Sequence, residues 1–395
     1  MANLEVVAFA FGSVLAQAGS ALLYVYAARL MGPAEFGLAV SAVAVAAWLT
    51  TLVDFGNASY VLRELSARRM SFDEAFSRLI GRVVALGALL PIAVTFSLLD
   101  RSLIPAILIS IAGIRLATLL VSSVLRGLGA AGTVVVLAVI EPVASLVCVL
   151  LLSTRQTTMD PQTFLLAVLA GAVIALIVGL RVTLKRHGDP AWNATFAWSD
   201  TRTFGVFGLA VGATQLDTPI VARGVSLDVA GEYGAISRWT RPITTLTQSF
   251  LFMAVPRIAS ANSWKDAVRS ISTGFWVLAL SLLGAMGLAI GAPFLVQTLL
   301  GPAYADSVGA LRVLALAAVV GVPTQFMATF LINRGLDRPV AAVQVVATFI
   351  QLLLVVPLTV VWGTAGTSAA VLISLSLSLA VMSCFALRRL AHRSK

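Results

Sequence analysis

Long apolar stretches separated by short polar turns run through the whole 395-residue chain. A membrane-spanning helix needs about 20 consecutive, mostly apolar residues, and twelve stretches of that kind are present. Their approximate bounds are 6–30, 37–62, 79–99, 102–125, 132–153, 163–184, 204–225, 231–255, 270–299, 307–332, 339–361 and 366–387. The pattern predicts an all-α polytopic membrane protein with about 12 transmembrane helices and no soluble domain. The first stretch is too long, and too poor in preceding basic residues, for a cleaved signal peptide, so we expect a permanent helix there.

The composition agrees with this pattern. Apolar residues make up 59% of the chain and charged residues only 11%, and the mean hydropathy is +0.98. Soluble globular proteins normally carry about a quarter of their residues as charged side chains. A soluble globular protein is therefore excluded. Both cysteines, Cys148 and Cys384, lie within predicted spans, so no disulfide is expected.

The positions of the basic residues predict the orientation. If both termini lie inside, eighteen of the 27 lysines and arginines fall in cytoplasmic loops and ends. The opposite side holds only Arg29, Arg101, Arg155 and Arg223, and the spans hold Arg82, Arg115, Arg238, Arg241 and Arg312. Cytoplasmic loops are enriched in lysine and arginine. We therefore expect a multi-pass protein of the cell (cytoplasmic) membrane with both termini cytoplasmic, and the net charge of +10 calls for no nucleic-acid partner.

Polar residues near the ends of spans predict local structure. Ser71 and Glu74 have the spacing of a capping box, in which each side chain bonds the other's backbone. Asp160 before Pro161 predicts a helix start, because proline suits the first helical position. Arg82 lies about a turn inside the third span, so we expect it to snorkel to the surface. Asp54, near the end of the second span, is close enough to reach the headgroups.

The two halves of the chain share short motifs in the same order. Ala34-Glu35-Phe36-Gly37 recurs as Gly231-Glu232-Tyr233-Gly234, Ser71 and Glu74 as Ser263 and Asp266, and Arg126-Gly127-Leu128 as Arg334-Gly335-Leu336. Each motif falls in the same loop of its half. Because each half has an even number of spans, the halves are expected to be parallel repeats, residues 1–190 and 191–395, forming two six-helix bundles around a central cavity.

Charged residues within the spans are the main candidates for function. A charge at the centre of a spanning helix costs on the order of 3 kcal/mol on insertion scales, so it is expected to be paired or to face a cavity. Asp217 and Arg238 lie about 12 and 10 Å from the turn between their helices, at about 1.5 Å per residue, and are thus at matching depth. Two interpretations explain these matching depths. Asp217 and Arg238 form a structural salt bridge, or they lie on the path of a substrate or an ion.

Three other charges extend the candidate set. Arg115 and Glu141 also lie at similar depth on neighbouring spans, which predicts a pair. Arg241 shares a helix face with Arg238, lies near mid-bilayer and precedes Pro242, which is expected to kink the helix. Unlike the other two arginines, Arg241 has no obvious partner at its depth.

The motifs resemble those of one transporter family. Three motifs look like those of the polysaccharide flippases (Wzx type) of the multidrug/oligosaccharidyl-lipid/polysaccharide exporter superfamily. They are Gly32–Gly37 after the first span, Asp54–Gly56 near the end of the second, and Ala230–Gly234 after the seventh, with Gly231 at its variable position. The second half is similar in Met253–Pro256, Gly301–Tyr304, Leu311–Ala315 and Ile332–Gly335. The resemblance covers nearly the whole chain and lies in spacing more than in an invariant signature. Twelve spans depart from the fourteen expected of lipid II flippases, which disfavours that close relative.

The resemblance implies alternating-access transport of a polyprenyl-diphosphate-linked oligosaccharide to the outer leaflet, for cell-surface polysaccharide synthesis. Candidate residues for the anionic head group are Arg115, Arg238 and Arg241, because the arginine fork suits phosphate. Asp217 and Glu141 are candidates for charge balance or for coupling to Na⁺ or H⁺. Glutamines that are candidates for a sugar-accepting cavity, or alternatively for interhelical hydrogen bonds, are Gln215, Gln248, Gln325 and Gln351. No other cofactor and no metal is expected. Candidate partners are the lipid-linked oligosaccharide, membrane lipids and other polysaccharide-assembly proteins.

Three other functions are weighed against this interpretation. An ion-coupled exporter of drugs or small molecules, from the same superfamily, is the main alternative, although a cationic cargo would need net acidic cavity walls. A membrane enzyme would usually show a large outside loop or a pair of catalytic carboxylates, and the outside loops are short. A purely structural or assembly protein would not need five arginines within its spans. We therefore expect a transporter and not an enzyme.

Overall fold

Sixteen α-helices and a few short turns of other helix types make up the described part of the chain. The computed structural model describes residues 2–154, 158–190, 192–260, 266, 269 and 275–393, and no strand occurs among them. The first half contains α1 (Ala2–Met31), α2 (Pro33–Asp54), α3 (Asn57–Ser66), α4 (Phe72–Gly87), α5 (Leu90–Leu99), α6 (Ile104–Gly127), α7 (Ala131–Ser153) and α8 (Pro161–His187). The second half contains α9 (Arg202–Ala213), α10 (Asp217–Gly224), α11 (Leu227–Ser237), α12 (Arg241–Ser260), α13 (Phe275–Leu295), α14 (Ser307–Asn333), α15 (Asp337–Trp362) and α16 (Thr364–Arg393). The predicted all-α class is confirmed.

Eleven segments within the described residues are long and apolar enough to cross a membrane. One of them, Phe72–Leu99, comprises α4 and α5, and another, Phe204–Gly224, comprises most of α9 together with α10. The remaining predicted span, at 231–255, is not one of these eleven segments, although it is helical with an interruption. There α11 ends at Ser237, a 3₁₀ turn covers Arg238–Thr240, and α12 begins at Arg241.

The interruption has a local cause in Pro242. Proline lacks a backbone N–H, and its ring crowds the carbonyl group four residues earlier, which here belongs to Arg238. The regular α-helix is replaced by a 3₁₀ turn over Arg238–Thr240, just before the proline. The helix is thus irregular near Pro242, as predicted. The irregular turn lies just before the proline in the chain and separates α11 from α12.

The predicted helix starts agree with the structure. Glu74 donates its backbone N–H to Ser71 Oγ over 3.1 Å at the start of α4. Thr163 donates its backbone N–H to Asp160 Oδ1 over 2.8 Å at the start of α8, where Pro161 is the first helical residue. The corresponding start in the second half, at Ser263, lies outside the described residues.

The described part of the segment between the halves, residues 188–190 and 192–201, contacts α4 through its backbone. Thr195 donates its backbone N–H to the Ser77 carbonyl oxygen over 3.0 Å. Gly81 allows this approach, because a Cβ atom there would lie 2.2 Å from the carbonyl oxygen of Thr195. The first turns of α4 and the connecting segment therefore form one packed layer. The division into bundles at residues 1–190 and 191–395 itself stays a prediction.

Two arginines of α4 also hold this segment. Arg78 forms a 2.8 Å ion pair with Asp200. The guanidinium of Arg82 stacks 3.3 Å from the ring centre of Trp198 and donates to the Ala197 carbonyl oxygen over 2.9 Å. Arg82 is only 1% exposed, so the prediction that it snorkels to the surface is wrong. The connecting segment covers the side chain and supplies an aromatic face and an acceptor in place of water.

Two glycines bring the halves into backbone contact at the opposite membrane surface. A Cβ atom at Gly37 would lie 1.9 Å from the carbonyl oxygen of Leu227, and one at Gly231 would lie 1.9 Å from that of Pro33. Pro33 and Leu227 are the first residues of α2 and α11, and each glycine follows four residues later. The segments that share the repeat motif are thus the ones that pack on each other.

This close contact predicts that adding one methyl group at Gly37 destabilises the protein. Gly37→Ala forces the α2 and α11 backbones apart, so we expect a loss of stability on the order of 1–3 kcal/mol, typical of overpacking. Gly113→Ala is the matched control, because no atom lies within 4 Å of a Cβ there and alanine favours a helix over glycine by about 1 kcal/mol. Unfolding temperatures in detergent measure both, and equal values for the two variants would contradict the contact.

Candidate functional site

A cavity of about 480 Å³ lies between the two halves, and four of the nine predicted site residues line it. The first half contributes residues of α1, α2, α6 and the start of α3. The second half contributes residues of α9, the following turn and the region around Arg238. The polar and charged side chains on its wall are Ser20, Tyr24, Thr51, Asp54, Ser59, Arg115, Gln215, Arg238 and Arg241. Arg115, Arg238, Arg241 and Gln215 are thus brought together.

The cavity occupies one half of the membrane depth. Along α2 its wall runs from Val43, near the middle, to Asp54 at the helix end, and along α9 it runs from Phe204, near the start, to Gly212. Those two ends lie at the surface that the charge distribution predicts to be cytoplasmic. The opposite surface is where α2 and α11 make backbone contact at Gly37.

Two smaller cavities meet the central one at Arg115. One, of about 370 Å³, extends between α2, α6 and α7 to Arg126, and the other, of about 170 Å³, reaches Glu141 and Arg241. The charged residues on the three walls are Arg115, Arg126, Arg238, Arg241, Asp54 and Glu141. Four positive side chains against two negative ones make this connected space net positive.

The predicted pair between Arg115 and Glu141 is confirmed. Arg115 Nη2 lies 2.8 Å from Glu141 Oε1, and Nε donates to the same oxygen over 2.9 Å. Each side chain is about a quarter exposed to the cavities. The pair is therefore partly solvated, and within it the charge of Arg115 is already balanced.

The predicted pair between Asp217 and Arg238 is not formed. Arg238 is 6% exposed, donates to the Gly234 carbonyl oxygen over 2.9 Å and stacks 3.5 Å from the ring centre of Tyr24. Asp217 accepts from the Tyr233 hydroxyl and from the Thr218 backbone N–H, each over 2.6 Å. Both residues begin new helical segments after 3₁₀ turns or lie within them, and that local geometry turns each side chain to partners of its own.

Arg241 differs from the other two arginines in its surroundings. It borders both the central cavity and the smaller one at Glu141. Its one recorded hydrogen bond is a long one, 3.4 Å, to Gln215 Oε1. Among the residues that the structure describes, no carboxylate lies within ion-pair distance of Arg241. A mid-membrane positive charge is therefore left facing the cavity.

Two residues at the cavity are not as the sequence suggested. Tyr24 was not a candidate, because an aromatic residue in an apolar helix ordinarily belongs to the core, and no local pattern marks it. Asp54 was expected to reach the headgroups, but it is buried and accepts the Ala58 backbone N–H over 2.9 Å. It caps the start of α3, where the chain breaks at Phe55 and Gly56, both with positive φ.

The remaining glutamines do not border these cavities. Gln248 is exposed on α12, Gln351 is buried, and Gln325 has a buried side-chain oxygen without a described hydrogen-bond partner. Only Gln215 of the four is at the cavity wall. No group of three or more histidine, cysteine or acidic side chains that could hold a metal ion occurs among the described residues.

No protein-family model matches the chain, and no curated protein is similar to it at a significant level. Several solved structures are similar in fold. An inward-facing structure of a multidrug resistance MATE family transporter of the MOP superfamily has a TM-score of 0.63 at 13% identity, over 97% of this chain and 94% of that one. An outward-facing structure of such a transporter also has a TM-score of 0.63, at 15% identity, over 99% and 96%.

A third similar structure is a MOP superfamily transporter from Pyrococcus furiosus, described by the reverse polarity of its binding pocket and a different function suggested from it. Its TM-score is 0.58 at 14% identity, over 99% of this chain and 96% of that one. At this level of identity the likeness establishes the fold. The chain therefore has the fold of MATE transporters, with two six-helix bundles.

The pair at the cavity predicts a double-mutant result. Glu141→Gln leaves Arg115 unpaired in a partly buried site, so we expect a loss of stability on the order of 1–3 kcal/mol, below the value for fully buried pairs. Arg115→Gln alone should cost a similar amount, and the double variant should recover most of it. Unfolding in detergent measures the cycle, and strictly additive losses would mean that the pair contributes nothing.

Proposed function

We propose that this protein transports a polyprenyl-diphosphate-linked oligosaccharide from the cytoplasmic to the outer leaflet by alternating access. The observation that carries the proposal is Arg241, an arginine that faces a net positive cavity with no carboxylate at ion-pair distance in the described part of the chain. Such a charge is costly unless water or an anion meets it. An anionic cargo supplies what the site lacks.

The chemistry of a diphosphate fits this arrangement. Its negative charge cannot cross about 30 Å of hydrocarbon unaided, and the planar fork of arginine binds phosphate oxygens in pairs. Arg238 is held by Tyr24 and the Gly234 carbonyl group, and Arg115 by Glu141. Arg238 therefore adds positive charge at the site and Arg115 is already balanced by Glu141, while Arg241 is the one of the three whose donors remain available to a head group.

The geometry of the two membrane surfaces supports alternating access. The cavity reaches toward the predicted cytoplasmic ends of α2 and α9, and the opposite surface is closed where Gly37 and Gly231 bring the backbones together. Opening toward the outer leaflet would require these contacts to separate. The fold is shared with transporter structures in inward-facing and outward-facing conformations.

Export of drugs or other small molecules is the second candidate, and it is favoured by the multidrug transporters among the structures of the same fold. The polarity of the cavity opposes it for cationic compounds, because four arginines face two carboxylates. Pocket polarity was also used to suggest a different function for the Pyrococcus furiosus transporter. The same reasoning separates an anionic cargo from a cationic one here.

Coupling to Na⁺ or H⁺ is part of the proposal, and Asp217 is its better candidate. Glu141 is already engaged by Arg115. Asp217 is buried and held by a hydroxyl group and a backbone N–H, with no cationic partner within ion-pair distance among the described residues. Other polysaccharide-assembly proteins stay expected partners, and the cytoplasmic membrane with both termini inside stays the expected location.

Arg241 provides the main test. Arg241→Ala should abolish flipping of a labelled polyprenyl-diphosphate oligosaccharide in proteoliposomes with the protein still folded, and Arg241→Lys should retain part of it, because the charge stays but the fork is lost. Arg312→Ala is the matched control, since Arg312 is an exposed arginine of α14 that does not border the cavities. Efflux of a cationic dye, measured in parallel, tests the second candidate function. Wild-type flipping by Arg241→Ala would refute the assigned role.

Asp217 provides an independent test of coupling. Asp217→Asn keeps an oxygen that accepts from Tyr233 but removes the titratable charge, so flipping should lose its dependence on an imposed Na⁺ or pH gradient. Asp228→Asn, an exposed carboxylate at the start of α11, should leave that dependence unchanged. A variant of Asp217 with unchanged gradient dependence would assign this residue to structure alone.

A further inference from the structure

A second region with basic side chains lies away from the central cavity, on the outer side of α9. It is a groove of about 490 Å³ between α9 and α15, and none of its lining residues borders the three cavities described above. Arg202 and Val206 form one wall, and Arg338, two alanines, Val345 and Val346 form the other. The groove is therefore apolar along its length and basic at one end.

The exposure of its walls shows that the groove opens to the surroundings of the protein. Val206 is 47% exposed, and Val346 is 54% exposed, although both lie within membrane-spanning helices. The cavity side of α9 carries different residues, Phe204, Phe207 and Val211 among them. One face of α9 thus borders the central cavity, and the other faces away from the protein. Because this segment is long and apolar enough to cross a membrane, we expect the outer face to meet lipid.

The basic end of the groove lies at a membrane surface. Arg202 is the first residue of α9 and Arg338 is the second residue of α15, and both helices run into the membrane from the same side. That side is the one predicted to be cytoplasmic. Both arginines are exposed, and among the described residues neither has a recorded hydrogen bond or ion pair. Of the two acidic residues near them in sequence, Asp200 forms an ion pair with Arg78, and Asp337 does not line the groove.

We propose that this groove binds one anionic phospholipid of that leaflet. The two guanidinium groups are placed for the phosphate, since arginine donors match phosphate oxygens, and the valine and alanine walls are placed for an acyl chain. An anionic headgroup fits better than a zwitterionic one, because a headgroup ammonium would repel two unpaired arginines. Basic residues at the membrane surface attract anionic lipid in this way.

The site has a consequence for the central cavity. A lipid seated in the groove packs against the back of α9, the helix that forms one wall of the cavity. Its chemistry does not depend on which cargo is transported. The binding test therefore stands even if the proposed transport function fails.

Lipid binding to the purified full-length protein tests the proposal. Native mass spectrometry in detergent can compare phosphatidylglycerol with phosphatidylcholine of the same acyl chains. We expect the wild type to prefer phosphatidylglycerol, and Arg202→Gln/Arg338→Gln to weaken its binding on the order of tenfold, given the attraction of each basic residue for anionic lipid. Val346→Trp, which fills the groove, should weaken binding of both lipids.

The control variant is Lys185→Gln/Arg186→Gln, because both residues are exposed at the end of α8 on the same side of the membrane. It should bind phosphatidylglycerol as the wild type does. Equal weakening by the control would reduce the effect to general surface charge and overturn the site. Equal binding of both lipids to the wild type, or displacement of lipid by soluble glycerol phosphate, would overturn it as well. Unfolding temperatures of all variants confirm that each is folded.

Discussion

The cost of a positive charge in a low-dielectric interior governs most of what is specific to this structure. Each arginine within a span must be met by a partner, by an aromatic face or by water. Arg115 is met by Glu141, Arg238 by Tyr24 and a helix carbonyl group, and Arg82 by Trp198 and Ala197. Two solutions thus serve the three arginines: a carboxylate for Arg115, and an aromatic face with a backbone carbonyl group for Arg238 and Arg82. Only the carboxylate removes the net charge.

Close backbone contact is the second constraint, and it links the repeat to the architecture. Helices that touch at glycine exclude any side chain, so the contact of α2 with α11 fixes their separation at one surface. A similar contact recurs near the other surface, where a Cβ atom at Gly56 would lie 2.5 Å from the backbone nitrogen of Gly205. α2 is therefore held by the second half near both of its ends. The central cavity lies beside α2, between α1 and α6 of the first half and α9 and the region around Arg238 of the second.

Much of the fold could be predicted from the sequence, because hydrophobic length and capping chemistry are local. The spans, the starts of α4 and α8 and the irregularity before Pro242 all follow from a few neighbouring residues. The depth of a side chain in the membrane could be predicted too, since it requires only a count of residues along each helix. Matching depths were enough to predict the pair of Arg115 and Glu141. The direction in which a side chain points around the helix axis could not be predicted. The 3₁₀ turns at Thr214–Leu216 and Arg238–Thr240 change the number of residues per turn, so the side chains after them point elsewhere than in a continuous α-helix.

The same limit explains the other differences in the site. Asp217 and Arg238 share a depth but are turned to separate partners, so a depth argument alone wrongly pairs them. Tyr24 lies 214 residues from Arg238 in the chain, and only the packing of α1 against the second half brings its ring to the guanidinium. Arg82 is covered by a segment more than a hundred residues away, which no local pattern predicts.

Under the proposed function, the unpaired state of Arg241 links cargo to movement. An alternating-access transporter passes through a state in which the cavity is shut on both sides, and there the water around Arg241 is lost. An uncompensated arginine at mid-membrane costs on the order of 3 kcal/mol, which corresponds to roughly a hundredfold lower population of the shut state. A bound diphosphate removes that penalty, whereas a cationic cargo adds to it. The residue that binds the head group would then also be the one that keeps the empty cavity from closing.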